Sequence, residues 1–142
     1  MMRVLILGGV AAGTKVAAKL KRLRFDAEVL ILTKDADISY AGCGLPYYVG
    51  DVITDREKII VNTPEKFAAL TGAKVLTGRE AVKLDAAGKT VTAKNLATGE
   101  EEVYPYDACV SWAGASSIEA RLEGDKVQGV VPEGRADGAG DR

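Results

Sequence analysis

The sequence predicts an α/β fold with a central parallel sheet that carries a β-meander. A short apolar run at residues 3–7 ends in a glycine-rich turn, and residues 14–24 follow it with helical spacing. A second apolar run, at residues 28–33, completes a β-α-β unit of about thirty residues, the usual minimum for this motif. Residues 80–106 then alternate as in a hairpin or three-stranded meander.

The remaining elements follow from local patterns. Val16, Leu20 and Leu23 share one face of the first helix. Residues 63–70 predict a helix, with Thr63 as N-cap and Pro64 at its first position. Three further strands and two turns are also predicted: strands at 58–62, 73–78 and 107–114, and turns near Ala87-Gly88 and Thr98-Gly99. From about residue 115 the apolar pattern decays, which predicts a disordered tail.

Composition sets broad limits on function. The chain has 142 residues and a net charge of −1, so we expect one domain that binds neither nucleic acid nor membrane. The first apolar run is soon interrupted by glycines and lysines, which predicts a cytoplasmic protein without a secretory or membrane-spanning segment. Two distant cysteines and no histidine predict no disulfide and no metal site.

The glycine turn is the first candidate site. It consists of Gly8, Gly9, Val10, Ala11, Ala12 and Gly13, placed between a strand and a helix. In the dinucleotide fingerprint of Rossmann-like folds the first glycine permits a tight turn, the second lets the backbone approach a pyrophosphate, and the third allows close helix packing. Gly8 and Gly13 fit this pattern, and Val10 replaces the middle glycine. We interpret the turn as a dinucleotide-binding loop, the alternative being a strand–helix turn without a ligand.

The end of the second strand departs from the fingerprint. A carboxylate for the ribose is expected there, about twenty residues after the glycines. The sequence reads Thr33-Lys34-Asp35, so that Thr33 stands where the acid is expected and Asp35 is the nearest carboxylate.

The segment ISYAGCGLPYYVG, residues 38–50, places Cys43 between two glycines. A helix that starts at Cys43 would favour its thiolate without a histidine. The alternative is a small buried hydrophobic residue in a glycine turn, which is common for a free cysteine. Cys109 lies within an apolar strand, and we expect it to be inert.

Basic residues line one face of the first helix. Lys15, Lys19 and Arg22 lie at i, i+4 and i+7, a spacing at which like charges repel one another. An anionic ligand that carries phosphate would offset this cost. The alternative is a solvated face with no ligand.

Taken together, the glycine turn and the cysteine segment resemble one family, and the likeness extends from residue 2 to about 115. The sequence is similar to the single-cysteine branch of the FAD-dependent pyridine nucleotide-disulfide oxidoreductases, the group of coenzyme A-disulfide reductases and NADH oxidases. The resemblance implies that NAD(P)H reduces FAD, and that FAD passes electrons to Cys43. This cysteine would cycle between a thiolate and a mixed disulfide with coenzyme A, or a related persulfide.

The resemblance also implies which residues bind each group. It assigns to the cofactor Gly8, Gly9, Val10, Ala11, Ala12, Gly13, Thr33, Lys34, Val82 and Gly114. It assigns to the coenzyme A moiety of the substrate Lys15, Lys19, Arg22, Ser39 and Gly42. Full-length members of the family are implied to be homodimers.

The chain departs from this family in two respects. The family continues with an NAD(P)H domain, a returning FAD-domain segment and a dimerisation domain, none of which is recognisable here. Trp112-Ala113-Gly114 also stands where an Ala-Thr-Gly motif is expected. We therefore interpret residues 1–115 as an incomplete FAD/NAD(P)-binding fold and residues 116–142 as a divergent tail. The chain is then either the first part of a redox enzyme or a nucleotide-binding fragment without turnover.

Overall fold

The structure, a computed structural model, describes residues 1–112. Seven strands occur among these residues: β1 (Arg3–Leu7), β2 (Glu28–Leu32), β3 (Lys74–Leu76), β4 (Arg79–Asp85), β5 (Thr90–Asn95), β6 (Glu101–Pro105) and β7 (Ala108–Ser111). The described helices are α1 (Ala11–Leu23), α2 (Leu45–Val49) and α3 (Pro64–Thr71). Within this range the chain divides into two compact units, one of residues 1–39 and 62–112, the other of residues 40–61.

A four-stranded parallel sheet, in the order β3-β2-β1-β7, forms the centre of the first unit. Successive side chains of a strand point to opposite faces. Accordingly Ile6 packs in one buried cluster with Ala17 of α1 and Phe67 of α3. Its neighbour Leu5 packs in a second cluster with Val91 of β5. Apolar residues on both faces therefore explain the continuous apolar run of β1, and the predicted α/β fold is confirmed.

Strands β4, β5 and β6 form the predicted antiparallel meander. Both predicted turns are confirmed, since β4 and β5 are separated at residues 86–89 and β5 and β6 at residues 96–100. In the second turn Gly99 has a φ of +79°, a conformation that glycine adopts without steric cost.

Helix α3 has the predicted start. The Thr63 side chain accepts a hydrogen bond from the Lys66 amide at 3.2 Å, and Pro64 occupies the first turn. The helix ends at Gly72, whose φ of +75° makes it a left-handed C-cap.

Helix α1 differs from its prediction in two ways. It begins at Ala11, inside the glycine turn, and Leu23 of the predicted apolar face is 67% exposed. The buried residues of this helix are Gly13, Thr14 and Ala17. Val16 and Leu20 of the predicted face are partly buried and pack against the core, so only Leu23 departs from the prediction. The small side chains at the centre of the buried face allow the helix to lie close to the sheet.

The strand predicted at residues 58–62 is wrong. Residues Arg56–Ile59 form a 3-10 turn, and Ile60 makes only an isolated bridge with Tyr40. The Asp55 side chain accepts a hydrogen bond from the Glu57 amide at 3.0 Å, and this cap favours a turn over an extended strand.

The second unit has its own small apolar cluster. Leu45 and Ile59 are buried there, and Tyr40, Tyr48 and Ile53 pack against them. No helix among the described residues is long and apolar enough to cross a membrane. The predicted boundary at residue 115 and the predicted disordered tail lie outside the described residues.

Candidate functional site

The glycine turn joins β1 to α1, and the local geometry requires glycine at both of its ends. Gly8 has a φ of +111°, which L-residues with a Cβ rarely adopt. A Cβ at Gly13 would overlap the Gly8 carbonyl oxygen, and it would lie 3.0 Å from the Gly8 carbonyl carbon and 3.2 Å from Ile6 Cγ2. Two glycines are therefore required by the local geometry, one for its dihedral angle and one for close helix–strand packing.

Gly9 is equally confined. A Cβ there would lie 2.8 Å from Ile38 Cγ2 and 3.1 Å from Thr33 Cγ2. The Gly9 carbonyl accepts a hydrogen bond from the Ser39 amide at 3.0 Å, and Ser39 itself has a φ of +51°. A non-glycine residue in this region of backbone space is strained, and such strain is concentrated at functional sites.

The N-terminus of α1 has the features of an anion site. Its N-cap residue, Val10, provides no capping side chain, and the first turn contains no acidic residue. Unsatisfied amides and the positive end of the helix dipole are thus left for an external anion. Together with the crowded glycines, this helix end fits the pyrophosphate of a dinucleotide.

Thr33 and Lys34 follow β2 at its carboxyl end. Thr33 is buried, its amide donates to the Leu76 carbonyl at 3.0 Å, and its own carbonyl accepts from the Arg79 amide at 2.9 Å. The Lys34 ammonium lies 3.9 Å from a Glu80 carboxylate oxygen. The structure thus brings Thr33 beside Gly9, and the hydroxyl rather than a carboxylate stands at the expected ribose position.

Val82 lies at an irregularity of β4. The register between β4 and β5 shifts between Ala81 and Lys83, which leaves Val82 unpaired and 49% exposed. Such bulges re-aim a side chain and are frequent next to binding sites. Gly114, the other cofactor residue predicted on this side, lies outside the described residues.

In the second unit Cys43 lies in the 3-10 turn Gly42–Gly44, with its side chain exposed. The predicted helix start is confirmed in part: the 3-10 turn Gly42–Gly44 leads directly into α2, but the α-helix itself begins at Leu45 and has only five residues. The Gly44 amide donates to the Ala41 carbonyl at 2.8 Å and closes the tight turn that carries the thiol. A Cβ at Gly42 would meet no heavy atom within 4 Å, so the approach to Cys43 from this neighbour is open.

Cys109 has a different environment. It lies on β7, pairs in register with Leu5, and packs against the cluster that contains Val91. Burial raises the pKa of the Cys109 thiol above its usual range. Cys43 is therefore exposed and Cys109 is partly buried in an apolar strand, as the sequence predicts for Cys109.

The predicted basic face of α1 is present and exposed. Lys15, Lys19 and Arg22 all have exposed side chains, and none of the ion pairs found within residues 1–112 involves them. Their neighbour Lys21 is used structurally, because its ammonium donates to the carbonyls of Phe25 and Ala27 at 2.7 and 3.0 Å.

Sequence reasoning missed a polar network at the start of the meander. Arg79 Nε donates to Glu102 Oε2 at 3.1 Å, Asn95 Nδ2 donates to Glu102 Oε1 at 3.1 Å, and the Tyr104 hydroxyl donates to Glu102 Oε2. Tyr104, Arg79 and Asn95 together lower the pKa of Glu102. No motif marks these residues, since only the register of β4, β5 and β6 brings them together.

No group of three or more potential metal ligands occurs among the residues that the structure describes. In the first unit the candidate features are the glycine turn and the end of β2, and in the second unit the candidate feature is the exposed Cys43 thiol.

Comparison with known proteins gives concordant results. The model of the pyridine nucleotide-disulphide oxidoreductase family matches residues 2–137. Coenzyme A disulfide reductase of Staphylococcus epidermidis is 34% identical over 125 residues, which cover 88% of this chain and 28% of that protein. The chain thus spans between a quarter and a third of the length of this relative.

Two solved structures are similar. Reduced CoADR-RHD of Bacillus anthracis is 37% identical with a TM-score of 0.82, over 87% of this chain and 22% of that one. The NAD-dependent persulfide reductase of A. fulgidus is 32% identical with a TM-score of 0.88, over 98% of this chain and 26% of that one.

These matches confirm the Rossmann-type fold and the resemblance predicted from the glycine and cysteine motifs. The family consists of FAD-dependent NAD(P)H oxidoreductases. The chain belongs to the pyridine nucleotide-disulphide oxidoreductase family.

Proposed function

We propose that this chain is the FAD-binding, thiol-bearing first part of a coenzyme A-disulfide reductase-like enzyme. The observation that carries the proposal is the glycine turn, where Gly8 has a φ of +111°, Gly13 leaves no room for a Cβ, and α1 begins without a capping side chain. This geometry fits the pyrophosphate of FAD. The cofactor-binding residues inferred from the sequence, from Gly8 to Gly13 with Thr33, Lys34 and Val82, belong to this proposal.

FAD, when bound, would supply a two-electron relay between NAD(P)H and a disulfide. Cys43 is the proposed nucleophile, and its exposed position in a tight turn supports this role. Its thiolate attacks one sulfur of the disulfide, forms a mixed disulfide and releases one thiolate. Two electrons and a proton then restore the Cys43 thiolate and release the second thiol.

The proposed substrate is coenzyme A disulfide or a related persulfide. Its support is the exposed basic face of Lys15, Lys19 and Arg22, which suits a ligand that carries phosphate groups. Ser39 and Gly42 complete the proposed substrate residues. A cytoplasmic location and a homodimeric full-length protein remain parts of the same proposal.

The second candidate is a nucleotide-binding fragment without turnover. It is favoured by Thr33, a buried residue without a carboxylate at the position where the dinucleotide fingerprint expects an acid for the ribose. Hydride transfer requires a nicotinamide held against the flavin, and positioning of this kind contributes about 7–11 kcal/mol to catalysis.

One experiment separates the two candidates. FAD is added to the purified 142-residue chain, bound flavin is measured by its absorption after gel filtration, and NADH or NADPH oxidation is then followed with coenzyme A disulfide. Bound flavin with turnover above a Cys43→Ser control supports the enzyme. Bound flavin without turnover supports the fragment, whereas absence of FAD binding would contradict both.

A further inference from the structure

Glu102 lies on the meander, outside the glycine turn, and yet it is connected to the β2 end through one residue. Its carboxylate accepts from Arg79 Nε at 3.1 Å, and the backbone amide of Arg79 donates to the Thr33 carbonyl at 2.9 Å. Thr33 Cγ2 in turn lies 3.1 Å from the position of a Cβ on Gly9. A continuous set of contacts thus runs from Glu102 to the glycine turn.

The backbone also holds Arg79, which is the first residue of β4 and pairs with Asn95 of β5. Gly78 before it has a φ of +63°, a turn conformation, and Arg79 Nη1 donates to the Thr77 carbonyl at 3.2 Å. The Gly78 carbonyl accepts from the Leu96 amide at 2.9 Å. Strand pairing thus joins Arg79 to β5, and its side chain adds a link to β6 through Glu102 and a link to the preceding turn through the Thr77 carbonyl.

Glu102 is itself held in place. Its two oxygens accept from three side chains, and one of the donors, Asn95, is buried at the end of β5. Asn95 Oδ1 also accepts from the Ala97 amide at 3.0 Å. Hydrogen bonds to a carboxylate are stronger than neutral ones, and a connected network fixes one geometry.

We propose that Glu102 is a positioning residue for the nucleotide site: by holding Arg79, it fixes the Thr33–Lys34 segment against Gly9. This inference rests on the nucleotide site proposed above. Arg79 and Glu102 contact no ligand in this proposal. They determine instead where the backbone at the end of β2 stands relative to the ribose and pyrophosphate.

The variant Glu102→Gln tests the proposal, with Glu101→Gln as its control. Glu101 is the adjacent residue of β6, its side chain is exposed, and its replacement removes the same charge. Two quantities are measured on the 142-residue chain: amide hydrogen exchange without ligand, and ADP affinity by titration calorimetry.

We expect faster exchange at the Arg79 and Thr33 amides in Glu102→Gln, with unchanged exchange at Gly8, whose amide donates to Leu32. We also expect ADP to bind about tenfold more weakly, the loss given by one charged hydrogen bond. The double variant Arg79→Gln/Glu102→Gln should lose no more affinity than the weaker-binding single variant, because the two residues act in series.

Other outcomes overturn the inference. Equal ADP affinity in Glu102→Gln and Glu101→Gln would restrict Glu102 to a structural role, even where amide exchange changed. Should Glu102→Gln fail to fold, Tyr104→Phe removes a single donor and permits the same comparison. A wild-type chain that binds no ADP would instead refute the nucleotide site itself, a result distinguishable from failure of the Glu102 role alone.

Discussion

A Cβ on Gly13 would overlap the carbonyl oxygen of Gly8. This overlap is with backbone, which cannot rotate away as a flexible side chain can. The two residues therefore set the distance between the end of β1 and the first turn of α1. Binding of a ligand at this helix end depends on the same distance, because the amides of the first turn of α1 must point at the ligand.

Gly13→Val should consequently abolish binding of FAD and ADP. The added side chain forces α1 away from β1, and the free amides of its first turn move with it. Val10→Ala serves as the control, because Val10 makes no capping hydrogen bond and its replacement leaves the turn unobstructed. Affinity is measured by titration calorimetry, and folding by circular dichroism. A folded Gly13→Val chain with unchanged affinity would contradict the placement of the nucleotide.

The two cysteines should react at very different rates. Cys43 is exposed on its turn, whereas Cys109 is part-buried on β7 and burial raises its pKa. A raised pKa means that the thiolate of Cys109, which is the reactive form, appears at a higher pH than the thiolate of an ordinary cysteine. Iodoacetamide labelling followed by peptide mass spectrometry should therefore modify Cys43 first at neutral pH, and Cys109 only at a pH above that at which an ordinary thiol ionises. Equal labelling of both at pH 7 would contradict this assignment.

Local sequence patterns predicted most of the fold, because the elements concerned depend on residues that are close together in the sequence. The Thr63 cap, the apolar runs of β1 and β2 and the glycine turns of the meander are all short-range signals. The strand predicted at residues 58–62 was wrong, and the apolar residues there are explained differently. Ile59 packs in a separate small cluster with Leu45, and the Asp55 cap favours a 3-10 turn at Arg56–Ile59.

The candidate site was predictable only in part. The required glycines can be recognised in the sequence, since no other residue fits a φ of +111° or a position where a Cβ would overlap backbone atoms. The packing of Ile38 and Thr33 against Gly9 depends on the path of the chain after β2. Residue spacing in the sequence does not predict that path. The Arg79–Glu102 pair likewise joins residues 23 positions apart through the register of the meander.

Thr63→Ala should destabilise the chain by about 1 kcal/mol, the usual cost of an N-cap lost. Its side chain accepts the Lys66 amide hydrogen bond at 3.2 Å, and alanine leaves that amide without this partner. Thr63→Ser retains the hydroxyl and should be nearly neutral. Urea unfolding measures both variants, and equal stability of Thr63→Ala and the wild type would show that the cap contributes nothing to stability.

Removal of the basic face of α1 should have opposite effects on stability and on binding. Lys15 and Lys19 are four residues apart with like charges, which costs roughly 0.2–0.5 kcal/mol on an isolated helix. The triple variant with glutamine at Lys15, Lys19 and Arg22 should therefore be slightly more stable. It should nevertheless bind coenzyme A more weakly, and the affinity should depend less on salt, because three positive charges near the phosphates are lost.

The matched control replaces three exposed meander lysines, Lys83, Lys89 and Lys94, with glutamine, so that net charge falls equally. If α1 merely presents a solvated face, both triple variants bind coenzyme A as the wild type does and only stability changes. If the face binds the substrate, affinity falls in the α1 variant alone. Because the two interpretations agree on stability and differ on affinity, calorimetric titration with coenzyme A at low and high salt decides between them.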